Sequence, residues 1–189
     1  SPHKLIVQQE SQGKKVSFSV TAEKFLIAVG TKPFRPDNIP FNETSVIDSD
    51  SVAANLPMPK SITVVGGGVI GLEYATIFST LDIPVTVVEA RSQILEFIDR
   101  DIVANFAHQL AVRGISLRLG RTIKGISLDD RNHPIIMLDD GRQLRSEMLL
   151  FTAGRVGAVD NLGLEKVGIE CDSRGRLVVD KETLQTTQP

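Results

Sequence analysis

The stretch SITVVGGGVIGLEYATIFSTLDIPVTVVE, Ser61 to Glu89, decides the fold. A β-rich run, Ile62 to Val65, meets Gly66-Gly67-Gly68, a helix-like segment follows, and a second β-rich run, Val85 to Val88, ends on an acid. That is the order in which a dinucleotide-binding βαβ unit is built. Gly66 permits the tight turn that leaves the strand, Gly68 removes a side chain where a pyrophosphate must approach backbone, and Gly71 lets the helix pack closely on the sheet. The unpaired N–H groups and the positive dipole end of the helix N-terminus then suit phosphate oxygens. Glu89 closes the second strand, where a carboxylate can accept hydrogen bonds from ribose hydroxyls. A bare GxGxxG is weak, because glycine-rich turns are common; here strand, helix, second strand and acid agree.

The rest of the chain gives this unit a context. At 189 residues it can bury a good core, and 41% hydrophobic with 23% charged residues is a globular composition. A formal net charge of −2, no Trp and one Tyr argue against a nucleic-acid surface, which needs a concentrated basic footprint and stacking aromatics. No apolar run is long enough to span a membrane, and the N-terminus lacks the basic-then-apolar order of a signal peptide, so a cytoplasmic protein without a membrane partner is expected. Cys171 is the only cysteine, which excludes an intrachain disulfide or CxxC pair within these residues. His3, His108 and His133 are widely separated and lack metal-ligand spacing, so no metal site is expected.

Read in order, Leu5 to Val29 alternates in a β manner, as LIVQQ, VSFSVT and KFLIAVG, and predicts a three-stranded meander. Gly30 to Pro33 stops the third run, and three prolines up to Pro40 mark a connection. Asp48-Ser49-Asp50-Ser51 offers N-cap chemistry for a short helix through Asn55. In the helix after the glycines, Ile70, Tyr74, Ile77, Phe78 and Leu81 form an apolar stripe, and Gly71 with Ala75 a small face that should lie on the sheet. Asp99 can cap a second helix carrying Ile102, Val103, Phe106 and Leu110 and ending at Gly114, before a strand from Ile115 to Leu119. Strand-helix-strand-helix-strand favours a parallel sheet with helical crossovers. Thr122 to Leu128, Pro134 to Leu138 and Gln143 to Phe151 read as antiparallel strands, with turns at Asp129-Asp130 and Asp139-Asp140-Gly141. Beyond Gly154 the chain turns polar, with a helical turn expected near Asp160 to Leu162 and a tight turn at Ser173-Arg174-Gly175 before Leu177-Val178-Val179. Starting at Ser1 and stopping at Thr187-Gln188-Pro189, it reads as a segment of a longer protein.

Four segments in one order carry a family resemblance: TAEKFLIAVGTKP (Thr21 to Pro33), GGGVIGLEYA (Gly66 to Ala75), VTVVEA (Val85 to Ala90) and TAGRVGAVDNLGLEKVGI (Thr152 to Ile169). Together they resemble the middle of a flavin-dependent pyridine nucleotide-disulfide oxidoreductase. Within that family DSDS at Asp48 to Ser51, EYATIF at Glu73 to Phe78 and LEFIDRDIV at Leu95 to Val103 look like the soluble pyridine nucleotide transhydrogenase branch. The resemblance implies a Rossmann-like α/β dinucleotide-binding domain of the FAD/NAD(P)-binding fold, with an antiparallel β-meander, inserted in a FAD domain. Residues 1–35 would close the first FAD-domain segment, 36–60 form a linker and short helix, 61–154 the NAD(P)-binding domain, and 155–189 the return to the FAD domain.

Residue by residue, the resemblance implies that Gly66, Gly68, Val69, Ile70 and Gly71 hold the pyrophosphate and that Glu73 lies near nicotinamide and flavin. It makes Glu89, with the adjoining Ala90 and Arg91, the ribose end, Ile123 a backbone contact near adenine, and Gly154 the border of the nicotinamide. Val29, Gly30 and Thr31 match the segment that touches FAD. The implied reaction is hydride transfer from NADPH to FAD and from reduced FAD to NAD⁺ in a homodimeric parent, with no acid, base or nucleophile from this chain. A dihydrolipoamide dehydrogenase with a redox cysteine pair upstream is the enzymatic alternative, and a nucleotide-binding module without turnover the non-enzymatic one.

Two acids have bland readings beside these. Glu73 on an exposed first turn can serve only the helix dipole. Glu89 would repel a 2′-phosphate about 4 Å away by roughly 1–4 kcal/mol at effective dielectrics of 80 to 20, which favours NAD. Arg91 could pair that phosphate instead, or be a solvated loop charge. NAD and NADP therefore both stay open.

Overall fold

The structure, a computed structural model, describes residues 3–11, 13–54 and 57–188. In chain order its strands are β1 (Lys4–Ser11), β2 (Lys14–Thr21), β3 (Thr31–Pro33), β4 (Val46–Asp48), β5 (Ile62–Val65), β6 (Val85–Glu89), β7 (Ser116–Leu119), β8 (Ile123–Leu128), β9 (Pro134–Leu138), β10 (Gln143–Arg145), β11 (Met148–Phe151) and β12 (Arg155–Gly157). Helix α1 (Val69–Thr80) joins β5 to β6, and α2 (Arg100–Val112) joins β6 to β7. The chain divides into two compact units, Pro33–Arg155 and the described parts of Ser1–Lys32 with Val156–Pro189.

In Pro33–Arg155 the described strands build a parallel sheet ordered β4-β11-β5-β6-β7. Each strand alternates with period two, and in β4, β5, β6 and β11 both faces are dry, which is why those runs read as largely apolar. Ile47, Ile62, Val64, Val85, Val87, Met148 and Leu150 point to one face and pack with Leu72, Ala75 and Phe78 of α1 and Val103 and Leu110 of α2. Val46, Val65, Val88, Leu149 and Phe151 point to the other and meet Ile136 and Leu138 of the antiparallel sheet β10-β9-β8. Helices thus cover one face and a meander the other. The one polar side chain buried within β5, Thr63, is matched: Ser146 Oγ bonds Thr63 Oγ1 at 2.9 Å and the Met148 carbonyl at 2.8 Å.

Several local expectations change. The run Gln143 to Phe151 is two strands: β10 finishes the meander antiparallel to β9, and β11 enters the main sheet parallel to both β4 and β5. Arg145-Ser146-Glu147 makes the change of direction, and the buried Ser146 hydroxyl anchors it. Val46–Asp48, just ahead of the expected helix, is the edge strand β4. The expected helix reduces to one 3₁₀ turn, Ser51–Ala53, with Asn55 outside the described residues; Asp48 Oδ1 still accepts from the Asp50 and Ser51 N–H groups. On α1 the buried face is Gly71, Leu72, Ala75 and Phe78, while Ile77 and Leu81 of the expected stripe are exposed. The small face of Gly71 and Ala75 lies on the sheet as expected, and of the stripe Phe78 is buried with it.

In the other unit β1 and β2 pair in full antiparallel register. The expected third strand is absent: residues 23–30 form no ladder among the described residues, and Leu26 stands 93% exposed. β propensity requires a partner edge, and the pairing begins only at β3, which lies against β12. The expected helical turn falls slightly later, as a 3₁₀ turn at Leu164–Val167, and Leu177 and Val179 make isolated bridges to Cys171 and Thr186 rather than a strand.

Candidate functional site: a glycine turn closed by a buried carboxylate

The sheet order changes direction at β5. From it the chain progresses to β6 and β7 on one side, while β11 and β4 fill the other. The crevice beyond the carboxyl ends of β5 and β11 is therefore a topological switch point, where open α/β sheets receive ligands. Gly66-Gly67-Gly68 leaves β5 here, and α1 begins at Val69 with Gly68 as its N-cap and no side-chain cap on its first N–H groups.

The glycines do different work. Gly66 takes φ +113°, a conformation open chiefly to glycine, and its N–H donates to the Val88 carbonyl at 2.8 Å. A Cβ on Gly71 would collide with the Gly66 carbonyl oxygen and lie 2.6 Å from Thr152 Oγ1. A Cβ on Gly68, by contrast, would meet nothing within 4 Å. The turn is packed tight below and open above, at the helix N-terminus.

The carboxylate of Glu89, 5% exposed, closes the turn from the next strand. Its Oε2 accepts from the Gly67 N–H at 2.6 Å, and both oxygens accept from Arg91: Oε1 from the backbone N–H and Nε at 2.9 Å, Oε2 from Nη2 at 2.9 Å. Burial pushes this carboxyl upward, but the Arg91 side chain and the Arg91 and Gly67 N–H groups outweigh it and hold Glu89 below the ordinary carboxylate value. Arg91, half-exposed, is therefore not a solvated loop charge; it also lies 3.5 Å from Glu96. Its charged form is favoured by the same bonds to Glu89.

The remaining expected residues distribute around this centre. Val69 is exposed and Ile70 half-buried in the first turn of α1, and Glu73 is exposed one turn in, without a hydrogen bond or ion pair among the described residues. Ala90 is exposed beside Glu89. Ile123 is half-buried at the start of β8, and the loop before it is tied to the same strand end: the Arg121 N–H donates to the Glu89 carbonyl at 3.0 Å and the Gly120 N–H to the Arg91 carbonyl at 2.8 Å. Gly154, at φ +126°, follows Thr152, whose hydroxyl and N–H both donate to the Val65 carbonyl at 2.8 Å. Val29, Gly30 and Thr31 belong to the other compact unit, where they are exposed and the Gly30 carbonyl accepts from the Ala158 N–H.

Three residues of the site carried no strong sequence signal. Gly67, the unspecified position of the fingerprint, is also required: a Cβ there would lie 2.8 Å from Ile94 Cγ2 and 3.1 Å from Glu89. Thr152 locks β11 to the glycine turn. Leu95, at φ +45°, donates its N–H to the Gly67 carbonyl at 3.1 Å, so that residues 91–98 strap over the turn. A cleft of about 320 Å³ is lined by Arg118, Arg121, Leu138, Asp140, Arg142 and Leu144, and it includes Arg121 of the loop tied to Glu89 but neither Glu89 nor the glycines.

A profile of the pyridine nucleotide-disulphide oxidoreductases matches residues 2–189. The chain belongs to this family. It is 36% identical over 179 residues to the soluble pyridine nucleotide transhydrogenase of Mycobacterium bovis (strain BCG / Pasteur 1173P2), covering 95% of this chain and 38% of that protein. It is 39% identical over 160 residues to the transhydrogenase of the same name from Aliivibrio fischeri (strain ATCC 700601 / ES114), covering 85% and 34%. Its structure is similar to the Cu(II) complex of the HOCl-induced flavoprotein disulfide reductase RclA from Escherichia coli, with a TM-score of 0.86, 32% identity, and 99% of this chain on 41% of that one. The chain thus spans little more than a third of the length of the curated relatives it matches. The α/β fold with its meander and the family resemblance of the four quoted segments both hold. Among the described residues no helix is long and apolar enough to cross a membrane.

Proposed function

We propose that this chain is the pyridine-nucleotide-binding portion of a flavoprotein that transfers hydride between NADPH and NAD⁺ through FAD, in a cytoplasmic, homodimeric parent enzyme. The observation that carries the reading is the glycine turn at the switch point, closed from β6 by a buried carboxylate and open above a helix N-terminus that lacks a side-chain cap. The relatives named transhydrogenases support the choice of reaction. In this reading residues 61–154 form the NAD(P)-binding domain, 36–60 its linker, and 1–35 with 155–189 parts of a FAD domain.

The residues present fit a dinucleotide. The N–H groups at the start of α1, from Val69, Ile70 and Gly71 after Gly66 and Gly68, would receive the pyrophosphate, because the space over Gly68 is clear and the helix dipole favours anions. Glu89, with Ala90 and Arg91, would receive the adenosine ribose, Ile123 would border adenine, and Glu73 and Gly154 the nicotinamide. Val29, Gly30 and Thr31 would contact FAD. The cofactors supply the hydride chemistry when bound; this chain orients them and sets the local charge.

Gly68→Val tests the reading, since its side chain enters open space and leaves the fold intact. Isothermal titration should show NAD⁺ and NADP⁺ binding weakened at least about tenfold, the cost of one poorly accommodated contact of about 1.4 kcal/mol, at an unchanged melting temperature. Binding equal to that of the unaltered protein would remove the pyrophosphate from this turn.

A further inference from the structure

Glu89 and Arg91 do not stand alone at the ribose end. The strap of residues 91–98 is pinned at two points: the Leu95 N–H donates to the Gly67 carbonyl, and Ile94, fully buried, fills the space over Gly67. Leu95 adopts a positive φ to do so, uncommon for a side chain of its size, and the bend delivers the next residue, Glu96, to Arg91. Glu96 Oε2 sits 3.5 Å from Arg91 Nη1, while Nε and Nη2 are held by Glu89. One guanidinium is thus shared by two carboxylates, and this group of three carries a net negative charge.

We infer that Glu96 is a specificity-determining residue: by competing for Arg91 it withholds the guanidinium from a ribose 2′-phosphate, and it sets how strongly the site discriminates between NADP(H) and NAD(H). The inference rests on the reading that the adenosine ribose lies against Glu89. The physical chemistry has one direction. A 2′-phosphate must draw Arg91 away from both carboxylates and meets repulsion from both, whereas a 2′-hydroxyl needs only to donate a hydrogen bond to Glu89 and leaves the Arg91–Glu96 pair in place. Glu96 is itself exposed, so its charge can be removed without disturbing the turn.

The test is titration calorimetry of NAD⁺ and NADP⁺ with the unaltered protein, Glu96→Gln, Arg91→Ala and the double variant, at low salt, with circular dichroism to confirm folding. Glu96→Gln should raise the NADP⁺ to NAD⁺ affinity ratio about two- to fivefold, as expected for loss of one exposed charge pair, and the rise should vanish in the Arg91→Ala background. An unchanged or lowered ratio with NAD⁺ still bound would overturn the role of Glu96 while leaving the dinucleotide site standing. An equal rise without Arg91 would overturn the competition. If the unaltered protein binds neither dinucleotide, the underlying reading fails, and the inference with it.

Discussion

Strands β5 and β2 both present alternating or continuous β-branched and aromatic residues, yet ITVV in β5 is buried at every position and KKVSFSVT in β2 is exposed at every position. Neighbouring chemistry, not strand propensity, separates them. β5 has β11 and β6 at its edges, two helices over one face and a meander under the other. β2 has a single partner, β1, and Val16, Phe18 and Val20 stand 49%, 47% and 39% exposed among the described residues. The apolar pattern therefore states what a strand can bury, while the layers around it decide what it does bury.

The largest expected effect breaks the buried side of the comparison. Gly71→Val places a branched side chain where even a Cβ collides with the Gly66 carbonyl, and α1 cannot retreat without opening the core over Leu72, Ala75 and Phe78. A loss of about 3 kcal/mol or more is expected, read as the urea midpoint by far-UV circular dichroism. A cost below about 1 kcal/mol would mean that the helix is less tightly seated than the contacts require.

Next in size is Glu89→Gln, which turns amide hydrogens toward the N–H donors of Gly67 and Arg91 and should cost about 1–3 kcal/mol at neutral pH. Because the folded carboxyl lies below its ordinary value near 4.5, the stabilisation is complete above that pH and is lost as pH falls through the folded value. The gap between variant and unaltered protein should therefore narrow on acidification below about pH 4.5, and a gap independent of pH would contradict the charge-assisted account. The smallest effect belongs to the hairpin. Phe18→Ser should change the midpoint by no more than about 0.5 kcal/mol, and a cost of several times that would show that the face of β2 is covered in solution.

Much of the site was legible because its determinants are local. A strand, three glycines, a helix and an acid at a strand end are contiguous enough for spacing to report them, and Asp99 caps α2 through the Asp101 N–H at 3.0 Å as its sequence position implies. The parts that escaped are those in which distant segments meet. Thr152 reaches Val65 only because β11 inserts beside β5, and Gly67 is constrained only because Ile94 and Glu89 arrive over it from elsewhere in the chain. Val46–Asp48 is too short for a period-two signal and becomes a strand only by pairing with β11.

By itself, then, the sequence determined the βαβ order, the helix termini, the glycine turn and the acid that follows it, because capping, turn geometry and periodicity are read within a few residues. Tertiary structure decided how much of the apolar stripe of α1 is buried, where β11 runs, and whether Arg91 is free or bound. Those outcomes depend on which backbone edge or charged group lies alongside, and folding alone brings Glu96, Glu89 and Gly67 around one guanidinium and one turn.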